Sequence, residues 1–323
     1  MKRAGGILLA FVLLVAAAAP WLAPNPPDRR FRDSLYAPPT PVRLLHDGLR
    51  APFIYPQQLV SRLERRFEGD TTRPLALEWF ARGRLASVPD EEGPLLLLGA
   101  DSVGRDIFAR LLYGARASLA LAVISTLGAL VLGALVGGIS AYAGGIADDI
   151  ISRATDFVLV LPAMYVALAL RAVMPLVLPP ATVFVLLMAI FILLGWPIVA
   201  RGVRAIVASE SERDYAQAGR ALGAGPVRLL VVHLLPAAWS YLTVQATLLL
   251  PAFILAEATL SYVGFGFPDT VPTWGTMLQD AANVALVVEA PWMLAPAAAI
   301  FVFVLAVNLV VQGRGRAPVQ LEP

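Results

Sequence analysis

Cysteine is absent from the 323 residues, histidine occurs twice, and lysine once, at Lys2. Without thiols the chain has no disulfide, no thiolate metal site and no cysteine nucleophile. Its lysine precedes the first apolar run, whereas a P-loop carries that residue inside a Gly-rich turn after a strand. The chain is therefore not itself a Walker-type ATPase. Charged residues are also few, 15% against about 25% in soluble globular chains. A net charge of +2 without a basic stripe gives no electrostatic footprint for nucleic acid. Apolar residues, by contrast, make up 58%, and the mean hydropathy is +0.72. That balance predicts several membrane spans and excludes a soluble enzyme.

A hydrocarbon core about 30 Å thick takes about 20 apolar residues in a helix. Six stretches qualify, which predicts an all-α integral membrane protein of six transmembrane helices. They run from Gly5 to Ala23, Ser118 to Tyr142, Phe157 to Met174, Thr182 to Ala200, Ala237 to Tyr262 and Trp292 to Val311. Pro162 and Arg171 interrupt the third, which reads as one kinked span because neighbouring helices can take up the freed backbone groups. The first stretch fits a signal peptide as well: Lys2 and Arg3, an apolar run, then Ala16 to Ala19 as a cleavage-like site. The expected layout is a first helix over 1–23, an extracytoplasmic segment over 24–116, a five-helix core over 117–312 and a tail over 313–323.

Sidedness follows from arginine in the short loops. Arg201, Arg204, Arg213, Arg220 and Arg228 lie between the fourth and fifth spans, while Val263 to Pro291 contains neither Lys nor Arg. Arg314 and Arg316 mark the tail, and Lys2 and Arg3 the amino terminus. Both termini and the arginine-rich loop are thus expected in the cytoplasm. The stretch from Pro20 to Arg116 is long enough to cross regardless of its charge, so it faces outside. Seven prolines between Pro20 and Pro41 predict extended chain there. Leu59, Leu63 and Phe67, four apart, predict a short amphipathic helix over Gln57 to Glu68.

The loop between the fourth and fifth spans carries the most specific pattern. Ser211 to Leu222 reads as a helix, with Ser211 and Asp214 at capping-box spacing and Glu212 and Asp214 favoured by the dipole in its first turn. Tyr215, Ala218 and Leu222 then share a face. Gly223-Ala-Gly225-Pro226 ends this helix and starts a second over Val227 to Leu235, with Pro236 leading into the next span. Ala216, Ala218 and Gly219 would let another backbone approach closely, with Arg213 and Arg220 at the rim. An ordinary amphipathic connector accounts for the same features, and pattern alone leaves both readings open.

Gln217-Ala-Gly219, Gly223 and Leu235-Pro236 sit at the spacing of the EAA loop of ABC importer permeases. Further pieces lie in the same order: Leu98-Gly-Ala-Asp-Ser-Val-Gly-Arg-Asp106, Tyr142-Ala-Gly-Gly145 with Asp148, Arg153 and Asp156, and Glu257-Ala-Thr-Leu-Ser261 followed by Gly264-Phe-Gly266 and Trp274-Gly275. From Leu97 to Asn308 the chain resembles the second, C-type permease subunit of the dipeptide/oligopeptide/nickel importers. Gln217 stands where relatives carry an acid, and the tail lacks their Gly-Asp-x-Leu-Arg-Asp ending.

The resemblance implies a type I ABC importer permease in a prokaryotic inner membrane. It does no chemistry and holds no cofactor or metal; its partners are a second permease subunit, two ATP-binding subunits, an external solute-binding protein and the bilayer. Residues 201–236 form the loop that couples to an ATP-binding subunit, through Asp214, Tyr215, Ala216, Gln217, Ala218, Gly219, Arg220, Gly223, Leu235 and Pro236. A charged branch at Gly223 (Gly223→Asp) is expected to enter a close contact and uncouple the assembly. The cargo is expected to be a di- or oligopeptide, with nickel or a nickel chelate as the alternative within the family.

Other residues carry two readings each. Glu257 in the fifth span faces the bundle or a wet cavity, since a charge at the bilayer centre costs about 2.5–3.5 kcal/mol. Gln245, Ser261 and Asn308 serve helix packing or the solute path. Gly133 and Gly137 favour close packing, either within the chain or against the second permease. Asp101, Arg105 and Asp106 form a local ion network or meet the binding protein, and Trp274 is expected in an outer turn at the membrane interface. His46 and His233 lie too far apart in the topology to share a metal. An ion-driven transporter would need paired intramembrane acids and inverted repeats, and a membrane enzyme a convergent catalytic set; neither pattern is present.

Overall fold

A computed structural model of the chain describes residues 2–45, 49–61, 65–89, 93–175, 178–282 and 284–312. His46, Leu63, Arg314, Arg316 and the tail expected over 313–323 lie outside the described residues. The chain divides into two compact units, Met1–Leu119 with Ala258–Pro323, and Ala120–Glu257.

The first unit opens with helix α1 (Lys2–Ala17) and a short continuation, α2 (Ala19–Leu22), with Pro20 tolerated in the first turn. Gly5 of α1 lies against Leu309 and Val310 of the last helix, α12 (Ala295–Gln312), so the two pack antiparallel; Cβ at Gly5 would sit 2.7 Å from Leu309. From Ala23 to Val42 the chain is neither helix nor strand, as the prolines predict. Seven short strands follow: β1 (Arg43–Leu45), β2 (Leu49–Ile54), β3 (Gln57–Ser61), β4 (Arg66–Gly69), β5 (Leu75–Ala76), β6 (Glu78–Trp79) and β7 (Ala86–Ser87). They pair antiparallel as β1-β2-β5, β3-β4 and β6-β7 around Ile54, Leu77, Val88 and Leu95.

These strands correct two expectations. The chain is not all-α, and Gln57 to Glu68 is a strand pair in place of an amphipathic helix. Residues 57–61 alternate between half-buried and exposed, a period of two, and Leu59 faces Phe67 across the ladder. Leu59 and Phe67 do share a face, but across two strands instead of along one helix.

Among the described residues, four helical runs are long and apolar enough to cross a membrane: Ile107–Ala143 (α3), Pro180–Ser211 (α6), Pro226–Tyr262 and Pro291–Val310. Residues 145–172 make a fifth only if α4 (Gly145–Val160) and α5 (Ala163–Ala172) are one span, because they bend by 85° at Leu161-Pro162. The apolar part of α1, Arg3–Ala17, is shorter than a full span. The kink expected at Pro162 is therefore a sharp elbow. Proline removes a backbone donor and crowds the preceding turn.

In the second unit α6 runs eleven residues past its expected end at Ala200. Val199, Val203 and Val207, four apart, keep one apolar stripe buried, so nothing stops the helix. Then come α7 (Asp214–Ala221) and α8 (Pro226–Arg228), which passes through a π-turn (Leu229–Leu234) and a 3₁₀ turn into α9 (Trp239–Tyr262). Pro236 does lead into the next span, within a continuous helical run from Pro226 to Tyr262 and in the first turn of its 3₁₀ stretch. Gly133 and Gly137 face α6 of the same unit: Cβ at Gly133 would lie 2.5 Å from Val199, and Cβ at Gly137 would strike the Ala200 backbone. Their close approach is used inside this chain, against α6. The remaining helices, α10 (Trp274–Asp280) and α11 (Val284–Glu289), precede α12 in the first unit.

Candidate functional site

The coupling residues expected from the loop form one small structure. Helix α7 starts at Asp214 and buries only Ala216, which joins a core with Val199, Val203 and Val207 of α6 and Leu229, Leu230 and Leu234 of the π-turn. Gly219 completes the contact, with room for Cβ only at 3.3 Å from Leu229. Tyr215, Gln217, Ala218 and Arg220 face outward, and Leu222 is 89% exposed. So Tyr215, Ala218 and Leu222 do share a face, but it is the outer one. Leu235 is half-buried and Pro236 exposed in the following 3₁₀ turn.

Ser211 does not cap α7. Its hydroxyl donates to the Ala208 carbonyl (2.8 Å), and Arg213 occupies the cap position without a side-chain bond. The joint is closed from the other direction: Gln217 Nε2 donates to the Glu212 carbonyl (2.9 Å). A carboxylate could not donate that bond, so glutamine in place of the family's acid has a local use. The Tyr215 hydroxyl donates to Glu210 Oε2 (2.8 Å), and burial with that neighbouring carboxylate pushes the phenol up.

The far end of α7 closes with a Schellman motif. Ala224 N donates to the Gly219 carbonyl (3.0 Å) and Gly223 N to the Arg220 carbonyl (3.0 Å), with Gly223 at φ +79°. Cβ at Gly223 would meet nothing within 4 Å. No other described residue approaches that position, so the close contact expected there is one with a partner subunit; within this chain glycine supplies the left-handed backbone.

An adjoining face of α6 lines a polar cavity of about 350 Å³ with α3 and α4, bounded by Ser140, Thr155, Asp156, Ala200, Arg201 and Arg204. Arg204 Nε donates to Asp148 Oδ1 (2.5 Å), Ser140 Oγ donates to the same oxygen (2.6 Å), and Arg201 pairs with Asp156. Sequence reasoning took these arginines as markers of sidedness and the aspartates as motif members. The i, i+3 spacing of Arg201 and Arg204 on one helix face was the available signal for a shared partner helix.

The other singled-out residues are dispersed along the helices. Gln245 is half-buried on α9, Glu257 and Ser261 are both buried one turn apart on it, and Asn308 is exposed on α12, with Nδ2 donating to its own Val304 carbonyl (2.9 Å). Asn308 therefore makes no interhelical bond within the described residues.

In the first unit Asp101 and Arg105 do form an ion network, while Asp106 does something else. Arg105 is 3% exposed; its Nε donates to Asp101 Oδ2 (2.6 Å), and its two terminal nitrogens grip Asp269 Oδ2 and Oδ1 at 2.8 and 3.0 Å. Asp280 Oδ2 lies 3.4 Å away. Burial would lower Arg105, but the Asp269 and Asp101 bonds outweigh it and raise it above its ordinary value. The Arg105 fork likewise outweighs burial at Asp269 and holds that carboxyl below its usual range. Asp280, buried beside Asp101 and Asp269, is pushed up to about 6. Asp106 instead caps α3: it accepts from Phe108 N (2.9 Å), Ala109 N (3.3 Å) and Asn25 Nδ2 (2.9 Å). Burial pushes it up to about 7 against those three donors.

Trp274 is 2% exposed, with Nε1 donating to the Leu111 carbonyl (3.1 Å), so it is a core residue and not part of an interfacial belt.

Residues 129–314 match the family described as binding-protein-dependent transport system inner membrane component, and residues 3–39 match the N-terminal TM domain of oligopeptide transport permease C. The di/tripeptide transport system permease protein DppC of Pseudomonas aeruginosa is 33% identical over 97% of this chain and 86% of its own length. A peptide permease protein of Brucella ovis is 38% identical over 67% of this chain and 70% of its own. The oligopeptide transport system permease protein OppC of Bacillus subtilis is 36% identical over 67% and 68%.

Proposed function

This chain belongs to the family of inner membrane components of binding-protein-dependent transport systems, and on that premise we propose that it is a peptide importer permease whose coupling helix is α7. The cargo reading follows the peptide names of its relatives, and nothing among them favours nickel. Six spans form one half of the translocation path, with α1 retained as the first and the bent α4–α5 pair as the third. Both termini and α7 face the cytoplasm, and residues 24–116 face outside. A second permease supplies the other half, two separate subunits bind ATP, and an external protein delivers the solute.

One observation carries the coupling role. A single stretch of α6 supports α7 on one face, through Val199, Val203 and Val207, and lines the polar cavity on the adjoining face, through Ala200, Arg201 and Arg204. Close-packed apolar contacts transmit displacement because they have little slack. A push on the exposed face of α7 therefore moves α6 and, with it, the ion pairs to Asp148 and Asp156 on α4. ATP can drive transport only if it binds the inward- and outward-facing states with different affinity, and α7 is the rigid part through which that difference is felt.

Leu222→Cys, unique in a chain without cysteine, tests the contact. Crosslinking to an ATP-binding subunit, with a yield that changes on adding ATP, is the expected result. No crosslink in an assembly that still takes up peptide would refute the role of α7.

A further inference from the structure

We infer that the β6–β7 hairpin is a membrane-surface anchor, inserting the rings of Trp79 and Phe80 into the headgroup layer of the bilayer beside the end of α2. Both rings are exposed, Phe80 by 78% and Trp79 by 50%. The inner end of the same hairpin is fixed, because Leu77 and Val88 are buried with Ile54 and Leu95. A rigid ribbon that buries its base and extends two aromatic rings outward is not collapsed on its own core.

The occupant is identified by what the tip is tied to. Leu85 N donates to the Trp21 carbonyl (2.6 Å), and Arg84 Nη1 to the Pro24 carbonyl (2.6 Å). Both acceptors lie where the apolar α1–α2 run ends, and Trp21 is itself 69% exposed there. That run packs antiparallel on α12, whose segment Pro291–Val310 is apolar enough to cross a membrane. The end of α2 is therefore at a bilayer surface, and the hairpin tip is hydrogen-bonded to it. Three aromatic rings at that level have the composition of an interfacial anchor, apolar bodies for the acyl boundary and polar edges for the headgroup layer. Phe80 and Arg82 both hold left-handed backbone, at φ +55° and +54°. Residues other than glycine hold it where the surroundings constrain them, and Phe80 N is tied to the Leu85 carbonyl (3.0 Å), whose own N–H is bonded to Trp21. A docking surface for a soluble partner would not require the tip to be bound to the end of a membrane helix.

The cysteine-free background allows a direct test. Phe80→Cys, carrying an environment-sensitive fluorophore, is reconstituted as the full chain, with its co-purifying subunits, in phosphatidylethanolamine/phosphatidylglycerol vesicles. Thr71→Cys, exposed on the same segment, is the aqueous reference. The anchor predicts strong quenching by phospholipids bearing a nitroxide near the headgroup, and protection from iodide relative to the Thr71 label. An Arg82→Cys label reads the same tip should Phe80→Cys not assemble. With that label, adding Trp79→Ser and Phe80→Ser should raise iodide quenching roughly tenfold, the partition that a buried aromatic side chain supplies. Iodide access equal to that at Thr71 overturns the inference, since the tip is then in water. Protection from iodide without nitroxide quenching overturns it equally, since protein then covers the rings.

Discussion

The turn ahead of α3 and the turn after α6 each hold a short segment against the end of a long helix, and they do so with opposite materials. Ahead of α3, Asp101 and Arg105 are almost completely buried, and the segment is held by charge-assisted bonds. After α6 the charges of Arg213, Asp214 and Arg220 lie in solvent, and Ala216 seats α7 in a purely apolar core. Buried ion pairs are directional and leave little freedom, whereas an apolar seat under an exposed helix keeps its polar atoms available to another protein. The first suits a fixed scaffold, and the second fits the docking role proposed for α7.

The largest expected effect is at the charged joint. Arg105→Ala leaves Asp101 buried without its main partner, and breaking such a pair costs about 3–5 kcal/mol, read as a large drop in the thermal unfolding midpoint in detergent. If the midpoint stays, the network is not what holds the turn. At the apolar joint, Leu229→Ala opens a cavity beneath Ala216 and should cost about 3 kcal/mol, with peptide uptake falling further than the amount of assembled protein. Equal losses of uptake and assembly would mean that the seat only stabilises.

Acidity separates the two joints. The Asp280 carboxyl is raised from 3.8 to about 6, so the folded state holds more protons than the unfolded chain between those values. Its contribution is fully present below about pH 4 and is lost as pH rises through about 6, a change of about 3 kcal/mol. Asp280→Asn should flatten that part of the stability profile, while substitutions in α7 should leave it unchanged. The smallest effect belongs to Gly223→Ala: with φ at +79° and open space around Cβ, only backbone strain of about 1 kcal/mol is at stake. A larger loss of uptake than of stability would show that a partner approaches Gly223 closely.

Much of α7 was legible beforehand. Gly223 after the last helical residue and Pro226 at the start of the next helix are local backbone requirements, and both stand where the spacing predicts. Its cap was misread, since Ser211 has its own helix to bond, and α6 continues to that residue on the stripe of Val199, Val203 and Val207. The strand pair over Gln57 to Gly69 was misread because Leu59 and Phe67 satisfy a helical spacing and a cross-strand pairing equally well. A pattern with two apolar residues on one face does not distinguish the periods.

Composition and hydropathy alone determined that this chain lies in a membrane, because a long apolar helix satisfies its own backbone wherever it is buried. Local backbone chemistry determined, in the same way, that a small-residue helix would end at Gly223. Tertiary structure alone decided which charges meet. Asp269 and Asp280 lie 164 and 175 residues from Arg105. Only folding brings such distant groups together, and a charge carries no mark of its partner until water has been removed from around both.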